Sequence, residues 1–412
     1  MNYRLYKHCR FCNGKNIHRI LNLGNMPLAG GFLKDPSDFR KEKRYPLELY
    51  FCKDCLLVQV NTVINKNILF KNYYYSSSSI NTLIKHFEDF GKTLRKIYRG
   101  KKFIVEIGSN DGIFLKILNK NGFKTLGVDP SVNLTRPLIK NGINVINDFF
   151  SEKVAKNIVN KFGRADIVVS SNTLAHIENM HDVAKAIKRV LKDDGILIFE
   201  NHYLVNLLTE NQYDMIYHEH QYYYSVMTLI NFFNLYDMEI FNVEKIPVHA
   251  GSIRVFVQNK KRGKNSISKN VSKFLSKEKK LEIDKLVTYK KFEMNIKKNK
   301  NDILKLVISL KKHNKKIVGY GASGRGTVIS NYCGLGNKFL EYVIDDSKVK
   351  QGCYTPGNHL EIYSSKTLLT DKPDYVILFA WSFIKEIKQR NKKYLDNGGK
   401  FIVPLPKVKI IT

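Results

Sequence analysis

The stretch Lys102–Ser131, KFIVEIGSNDGIFLKILNKNGFKTLGVDPS, decides the fold. An apolar run, Phe103–Ile107, breaks into Gly108-Ser109-Asn110-Asp111-Gly112. A helical pattern then starts at Ile113, and a second apolar run, Thr125–Val128, closes on Asp129. Strand, glycine turn, helix and strand, with an acid at each strand tip, make the front half of a doubly wound α/β nucleotide-binding domain. In such a domain ligands sit beyond the carboxyl ends of the strands. Without a Cβ, Gly108 and Gly112 let the backbone approach a ligand closely. The spacing is E-x-G-x-x-x-G, not the G-x-G-x-x-G of a dinucleotide fold.

Working outward, a helix over residues 81–98 leads into this loop. A third strand tip carries Asp148-Phe149. An acid beside an aromatic ring suits adenine, by hydrogen bonds to the amino group and stacking; for Asp148 an ordinary helix N-cap is the competing reading. The fourth strand, Ala165–Ser171, is followed by Asn172-Thr173-Leu174-Ala175-His176, and a fifth, Ile196–Glu200, ends in Asn201-His202. Asn172 and His176 stand four apart and share a face if a helix starts there. The block Tyr213–Ser225, YDMIYHEHQYYYS, concentrates the ionisable chemistry. His218-Glu219-His220 has i, i+2 spacing, not the helical i, i+4 pair of a zinc protease. A general acid–base cluster is the better reading. Histidine titrates near neutrality, and a neighbouring carboxylate orients its ring.

At 412 residues the chain calls for two or three domains, and 43% apolar and 12% aromatic residues suffice to fill them. No run approaches 18 apolar residues and MNYRLYKHCRFC lacks a signal-peptide core, so a cytoplasmic protein without a membrane partner is expected. The net charge of +32 invites a nucleic-acid reading. Lys, Asn and Ile are abundant throughout, however, and much of the surplus Lys falls in residues 260–316. The charge is therefore read as solvated surface that favours anionic small substrates, with no nucleic acid expected.

Four of the six cysteines form Cys9-x-x-Cys12 and Cys52-x-x-Cys55. Paired CxxC knuckles are the ligand set of a structural zinc, closed by four thiolates. Disulfides and a redox CxxC are the alternatives; a cytoplasmic setting and the duplicated pair weigh against them. Toward the other end, residues 260–316 show Leu, Ile, Val and Phe at helical spacing amid lysines, which predicts one or two solvent-washed helices, with a coiled coil as a weaker reading. Lys316–Gly326, KIVGYGASGRG, then begins a second α/β unit with a literal G-x-G-x-x-G and acids at Asp345-Asp346. By pattern alone this is a dinucleotide site.

The first loop resembles motif I of class I S-adenosylmethionine (SAM) methyltransferases, with Asp129 where that family's acid holds the ribose hydroxyls. By that resemblance Glu106, Gly108, Asn110, Gly112, Asp129, Asp148, Phe149 and Asn172 border SAM. The wider chain resembles the bacterial sugar C-methyltransferases, SAM-dependent enzymes acting on carbon 3 of NDP-4-keto-deoxyhexoses. The carriers are LNLGNMPLAGGFL (21–33), YPLELYFCKDCLLVQV (45–60), the tyrosine–serine block 72–79 and Asn172-x-Leu174-x-His176. They continue with Tyr217-His218-Glu219-His220, His249-Ala250-Gly251-Ser252-Ile253-Arg254, Gly319-Tyr320-Gly321-Ala322, Asn331–Gly334 and Lys350-Gln351-Gly352 with Pro356-Gly357. Ala250 replaces a family glycine. The resemblance implies His220 as base with Tyr217 and Glu219 beside it, and His176 and Tyr75 at the active site. It also implies a sugar nucleotide on the C-terminal lobe, near Gly321, Ser323, Arg325 and Lys350.

The expected architecture is α/β in three parts. A four-cysteine zinc lobe (1–70, ligands Cys9, Cys12, Cys52 and Cys55) precedes a class I SAM-methyltransferase Rossmann-like domain (71–258). A helical linker (259–316) then leads to a second Rossmann-like domain (317–412) that binds the NDP-sugar. The expected state is a monomer. An RNA methyltransferase and a non-catalytic nucleotide-binding protein are the rival readings.

Overall fold

Phe103–Ile107 is buried along its whole length and pairs in parallel with strands on both sides. A strand so enclosed must be apolar on both faces, which is why its sequence does not alternate. The structure is a computed structural model and describes residues 2–412 except Asn72 and Tyr74, so those two members of the 72–79 block lie outside the described residues.

Around this strand stands a seven-stranded sheet. Its spatial order is Met238–Ile246, Ser252–Asn259, Leu191–His202, Ala165–Ser171, Phe103–Ile107, Lys124–Val128 and Val145–Ile146. All neighbours are parallel except Ser252–Asn259, which runs antiparallel to both its partners. The chain order reverses between Phe103–Ile107 and Ala165–Ser171, and the crevice beyond their carboxyl ends is where such a sheet takes its ligand. The fifth strand is longer than its apolar core Ile196–Glu200, because it runs on through Asn201 and His202 into the crevice.

The N-terminal lobe is a four-stranded antiparallel sheet ordered Tyr222–Tyr223, Val58–Val60, Arg44–Cys52, Ile17–Pro27. Its edge strand comes from the middle of the chain, directly after His220. The C-terminal sheet runs Ile362–Tyr363, Val343–Ile344, Ile317–Tyr320, Tyr375–Leu378, Lys400–Val403, Lys409–Ile411, parallel but for the last. Its own order reversal lies at Gly321, against Ala380.

The lysine-rich segment forms helices Lys269–Lys280 and Leu286–Lys312. They are not solvent-washed spacers. Tyr289, Phe292, Ile296, Ile303 and Val307 are buried in a core shared with these three larger sheets. Glu278 is fully buried and accepts from the N–H groups of Val226 and Met227 (2.7 and 2.9 Å) and from Tyr203 Oη (2.9 Å). Asn299 bridges the Tyr213 hydroxyl and the Pro404 carbonyl. The lysines occupy the outer face while the apolar stripe joins the lobes.

Candidate active site

The glycine loop sits at the crevice as expected. Gly108 has φ +75°, and a Cβ there would lie 2.7 Å from the Thr173 Cβ, so only glycine fits between loop and fourth strand tip. Asp129 accepts from the amides of Asn110 (2.9 Å) and Ser131 (2.8 Å), with lone pairs to spare for ribose hydroxyls. Glu106 is buried; burial and the charges of Asp129 and Asp111 push its carboxyl well above the usual range. A cationic ligand relieves such a cluster, and SAM carries both an ammonium and a sulfonium.

Residues 75–78 strap across this loop. Ser77 N–H donates to Asn110 Oδ1 (2.9 Å), Ser78 N–H to Asp111 Oδ2 (2.9 Å), and Asn110 Nδ2 to the Tyr75 carbonyl (3.0 Å). Asp148 is exposed, and the Phe149 ring is half-buried with Lys66 Nζ 4.1 Å from its centroid. Ser151, not Asp148, caps the helix that follows.

His220 lies in the middle of the crevice. Its ring is 3.9 Å from Tyr217, 4.6 Å from His202 and 4.9 Å, edge-on, from His176, with His249 5.8 Å beyond His202. Nδ1 lies 2.8 Å from the Met215 carbonyl. A carbonyl only accepts, so in the neutral ring Nδ1 carries the proton and Nε2 holds the lone pair. Burial first, then the nearby His176, drives the His220 pKa well below its ordinary value; His202 follows, and His176 and His249 are held at about 4. The cluster is neutral at neutral pH.

The residues around His220 sort differently from their spacing. Glu219 does not orient the ring; its Oε2 accepts from Tyr73 Oη (3.2 Å), and burial lifts its pKa to about 7. Tyr73, not Tyr75, makes that contact, and Tyr75 lies 6.3 Å from Tyr73, centroid to centroid. His218 turns away to the Pro46 carbonyl (3.2 Å) in the N-terminal lobe. No α-helix starts at Asn172, which has φ +54°; Leu174–His176 is a short 3-10 turn, so Asn172 and His176 share no helix face, although the His176 ring meets the Asn172 backbone.

Seven of the fourteen buried side-chain atoms without a partner among the described residues gather at the same strand ends. They are Glu106 Oε2, Ser109 Oγ, Ser171 Oγ, Asn172 Oδ1, both amide atoms of Asn201, and His202 Nδ1. Each such atom costs about 1–3 kcal/mol without a partner, so their concentration fits a polar ligand in the crevice. Asn201 and His202 escaped sequence reasoning; their only signal was their place beyond the fifth strand.

The C-terminal glycine loop faces His220 from the other side. A Cβ on Gly324 would lie 3.5 Å from Tyr217 Cζ and 3.2 Å from Ala29 Cβ, so all three lobes meet there. Ser323 caps the helix Gly324–Tyr332. Lys350 Nζ donates to the Ala322 carbonyl (2.7 Å) and lies 3.4 Å from Asp345. Arg325 Nε donates to Asp214 Oδ2 (2.7 Å) and Nη1 to Ser382 Oγ (3.0 Å), while Nη2 has no partner among the described residues.

In the N-terminal lobe the four thiols of Cys9, Cys12, Cys52 and Cys55 lie within 4.8 Å of one another, with Cys9–Cys55 at 3.4 Å and Cys12–Cys52 at 3.6 Å. A tetrahedron with Zn–S bonds of about 2.3 Å has edges of about 3.8 Å, so the thiols fit zinc.

Three family profiles match in order: a zinc binding domain over residues 9–70, a methyltransferase domain over 83–243 and a C-methyltransferase C-terminal domain over 247–406. C-methyltransferase NovU of Streptomyces niveus is 32% identical over 98% of this chain and 96% of its own. The chain belongs to the C-methyltransferase family. As a member it is a SAM-dependent methyltransferase with a zinc lobe. Among solved structures, the PH0226 protein of Pyrococcus horikoshii matches 45% of this chain and 95% of its own at 17% identity and TM-score 0.36. A SAM-dependent methyltransferase of Mesorhizobium loti matches 42% and 99% at 16% and 0.33. Among the described residues no helix is long and apolar enough to cross a membrane.

Proposed function

We propose that this C-methyltransferase methylates carbon 3 of a nucleotide-linked 4-keto-deoxysugar through an enolate. The state of His220 carries this reading: a buried neutral imidazole, its Nδ1 held by the Met215 carbonyl, with the lone pair on Nε2. That is the form a general base needs before it accepts a proton. The 4-ketone acidifies the adjacent C–H, and His220 Nε2 takes that proton as the electron pair moves onto the ketone oxygen. Burial and the nearby Glu219 keep the Tyr217 hydroxyl protonated, so it donates to the developing enolate oxygen; His176, edge-on to His220, assists. SAM supplies the electrophilic methyl group that the enolate carbon receives.

Backbone amides after Gly321, with Ser323 and Lys350, receive the diphosphate of the sugar nucleotide. The four-cysteine zinc has no open ligand position and stabilises the lobe that closes over Glu219 and Gly324. We assign the enzyme to deoxysugar biosynthesis in the cytoplasm, as a monomer that requires neither nucleic acid nor membrane.

The test is incubation with labelled SAM and a panel of NDP-4-keto sugars, with RNA as a control. Label in a keto sugar, at carbon 3, is expected. Label in RNA alone would overturn the reading.

A further inference from the structure

Asp214 is the most deeply placed acid of the catalytic block, fully buried beside residues that the transfer chemistry does not use. It lies on the 3-10 turn Tyr213–Met215. Its Oδ2 accepts from Arg325 Nε (2.7 Å) and from the Trp381 indole Nε1 (2.8 Å). Arg325 Nη1 also donates to Ser382 Oγ (3.0 Å), and its guanidinium lies 4.7 Å from the centre of the Trp381 ring. Arg325, Trp381 and Ser382 all belong to the C-terminal lobe. Arg325 is in the first turn of the helix behind the glycine loop, and Trp381 follows the strand Tyr375–Leu378 across the order reversal.

The next residue on that turn is Met215. Its carbonyl accepts from both His220 Nδ1 (2.8 Å) and the Tyr223 hydroxyl (3.1 Å). A short 3-10 turn has few bonds of its own to fix the direction of a carbonyl. A buried ion pair adds little net stability against an apolar substitute, yet it fixes geometry closely. Asp214 Oδ1 and Arg325 Nη2 are buried without a partner among the described residues, so the pair is not arranged for greatest stability.

We propose that Asp214, with Arg325 and Trp381, is a positioning device: it fixes the Met215 carbonyl, and through it the His220 tautomer, from the C-terminal glycine loop. The proposal rests on His220 being the base. It makes the loop that holds the sugar nucleotide also the part that aims the ring at carbon 3. Arg325 is thereby a positioning residue and not a phosphate ligand.

The full-length zinc protein, labelled with 15N at histidine and saturated with S-adenosylhomocysteine, tests this. Loss of a resonance pair in His220→Asn assigns the ring. In the wild type Nδ1 is protonated and Nε2 is not. In Asp214→Asn the ring is expected to mix tautomers, with kcat falling about 10²-fold, the scale of a small misplacement of a catalytic group, while KM for the sugar nucleotide changes less than about threefold. Trp381→Phe, which removes one donor and keeps an aromatic ring, shifts both readouts the same way by a smaller amount. It carries the test should Asp214→Asn fail to retain zinc and SAM binding. An unchanged tautomer in every variant that folds overturns the proposal, as does a loss confined to KM, which would return Arg325 to substrate binding. A changed tautomer with unchanged turnover supports the link to His220 and removes His220 as the base instead.

Discussion

Each of the two glycine loops ends a strand and opens a helix, but their glycine spacing and their surroundings differ. The first, Gly108–Gly112, is crowded by its own domain: Thr173 and Leu138 close on its two glycines, and the strap 75–78 bonds to Asn110 and Asp111. The second, Gly321–Gly326, has the literal dinucleotide spacing, yet its strand-tip acids have partners. Asp345 accepts from Ser347 N–H and lies beside Lys350, and Asp346 accepts from the Tyr320 hydroxyl. Its outward glycine faces Tyr217 and Ala29 of the other two lobes. A glycine motif states that the backbone turns tightly; what presses on the turn decides what it serves. Here the first turn is pressed by its own domain and the second meets Tyr217 and Ala29 of the other two lobes.

The largest effect should come from what lies between the loops. His220→Asn should bind SAM and nucleotide sugar as the wild type does, while kcat falls about 10²–10⁴-fold, the usual contribution of a positioned base. A loss located in either binding constant would mean that His220 belongs to one loop's ligand. Next is Gly108→Ala, which forces a left-handed residue onto Thr173. Strain of about 1–3 kcal/mol should weaken SAM by roughly 10–100-fold in calorimetry and leave the sugar nucleotide alone. If both ligands weaken together, the loops are not separate sites. Gly324→Ala should be milder, since its new methyl meets Ala29 Cβ at 3.2 Å and Tyr217 Cζ at 3.5 Å. A fall of several-fold in kcat with unaltered SAM affinity is expected; a change in SAM affinity would break the contrast.

The smallest effect is with pH. Burial holds His176, His218 and His249 at about 4, below the ordinary histidine value. Between about pH 6.5 and 4 these three histidines therefore bind more protons in the unfolded chain than in the folded one, so their contribution to stability falls as the pH drops through that window. Residues 375–403 of the C-terminal sheet contain no histidine. Amide hydrogen exchange at pH 5 should accelerate more in residues 213–224 than in 375–403; equal acceleration would remove the histidines as the cause.

What the sequence made legible follows from locality. Phe103–Ile107 and Ala165–Ser171 form as their apolar runs predict, and the cysteine knuckles converge because each CxxC already pairs two ligands. Tyr222–Tyr223 is an edge strand of the N-terminal sheet, and no local period announces a pairing with Val58–Gln59. The lysine-rich helices read as spacers because their charge masks a buried stripe. Glu219 read as the group orienting His220 because it is adjacent in sequence. The group that does so is the Met215 carbonyl, and a carbonyl has no letter of its own. Tyr73 belongs to the tyrosine–serine block 72–79, whereas Asn201 and His202 reach the site through the fold, not through any motif.

The central claim is that His220 Nε2 removes the proton from carbon 3. Solvent deuterium exchange into an NDP-4-keto sugar, with S-adenosylhomocysteine in place of SAM, tests it most directly because no methyl transfer follows. The wild type should exchange the carbon 3 hydrogen and His220→Asn should not, although both bind the two ligands. Equal exchange in the two proteins would contradict the claim. His218 faces the Pro46 carbonyl, so the role would then fall to Tyr217.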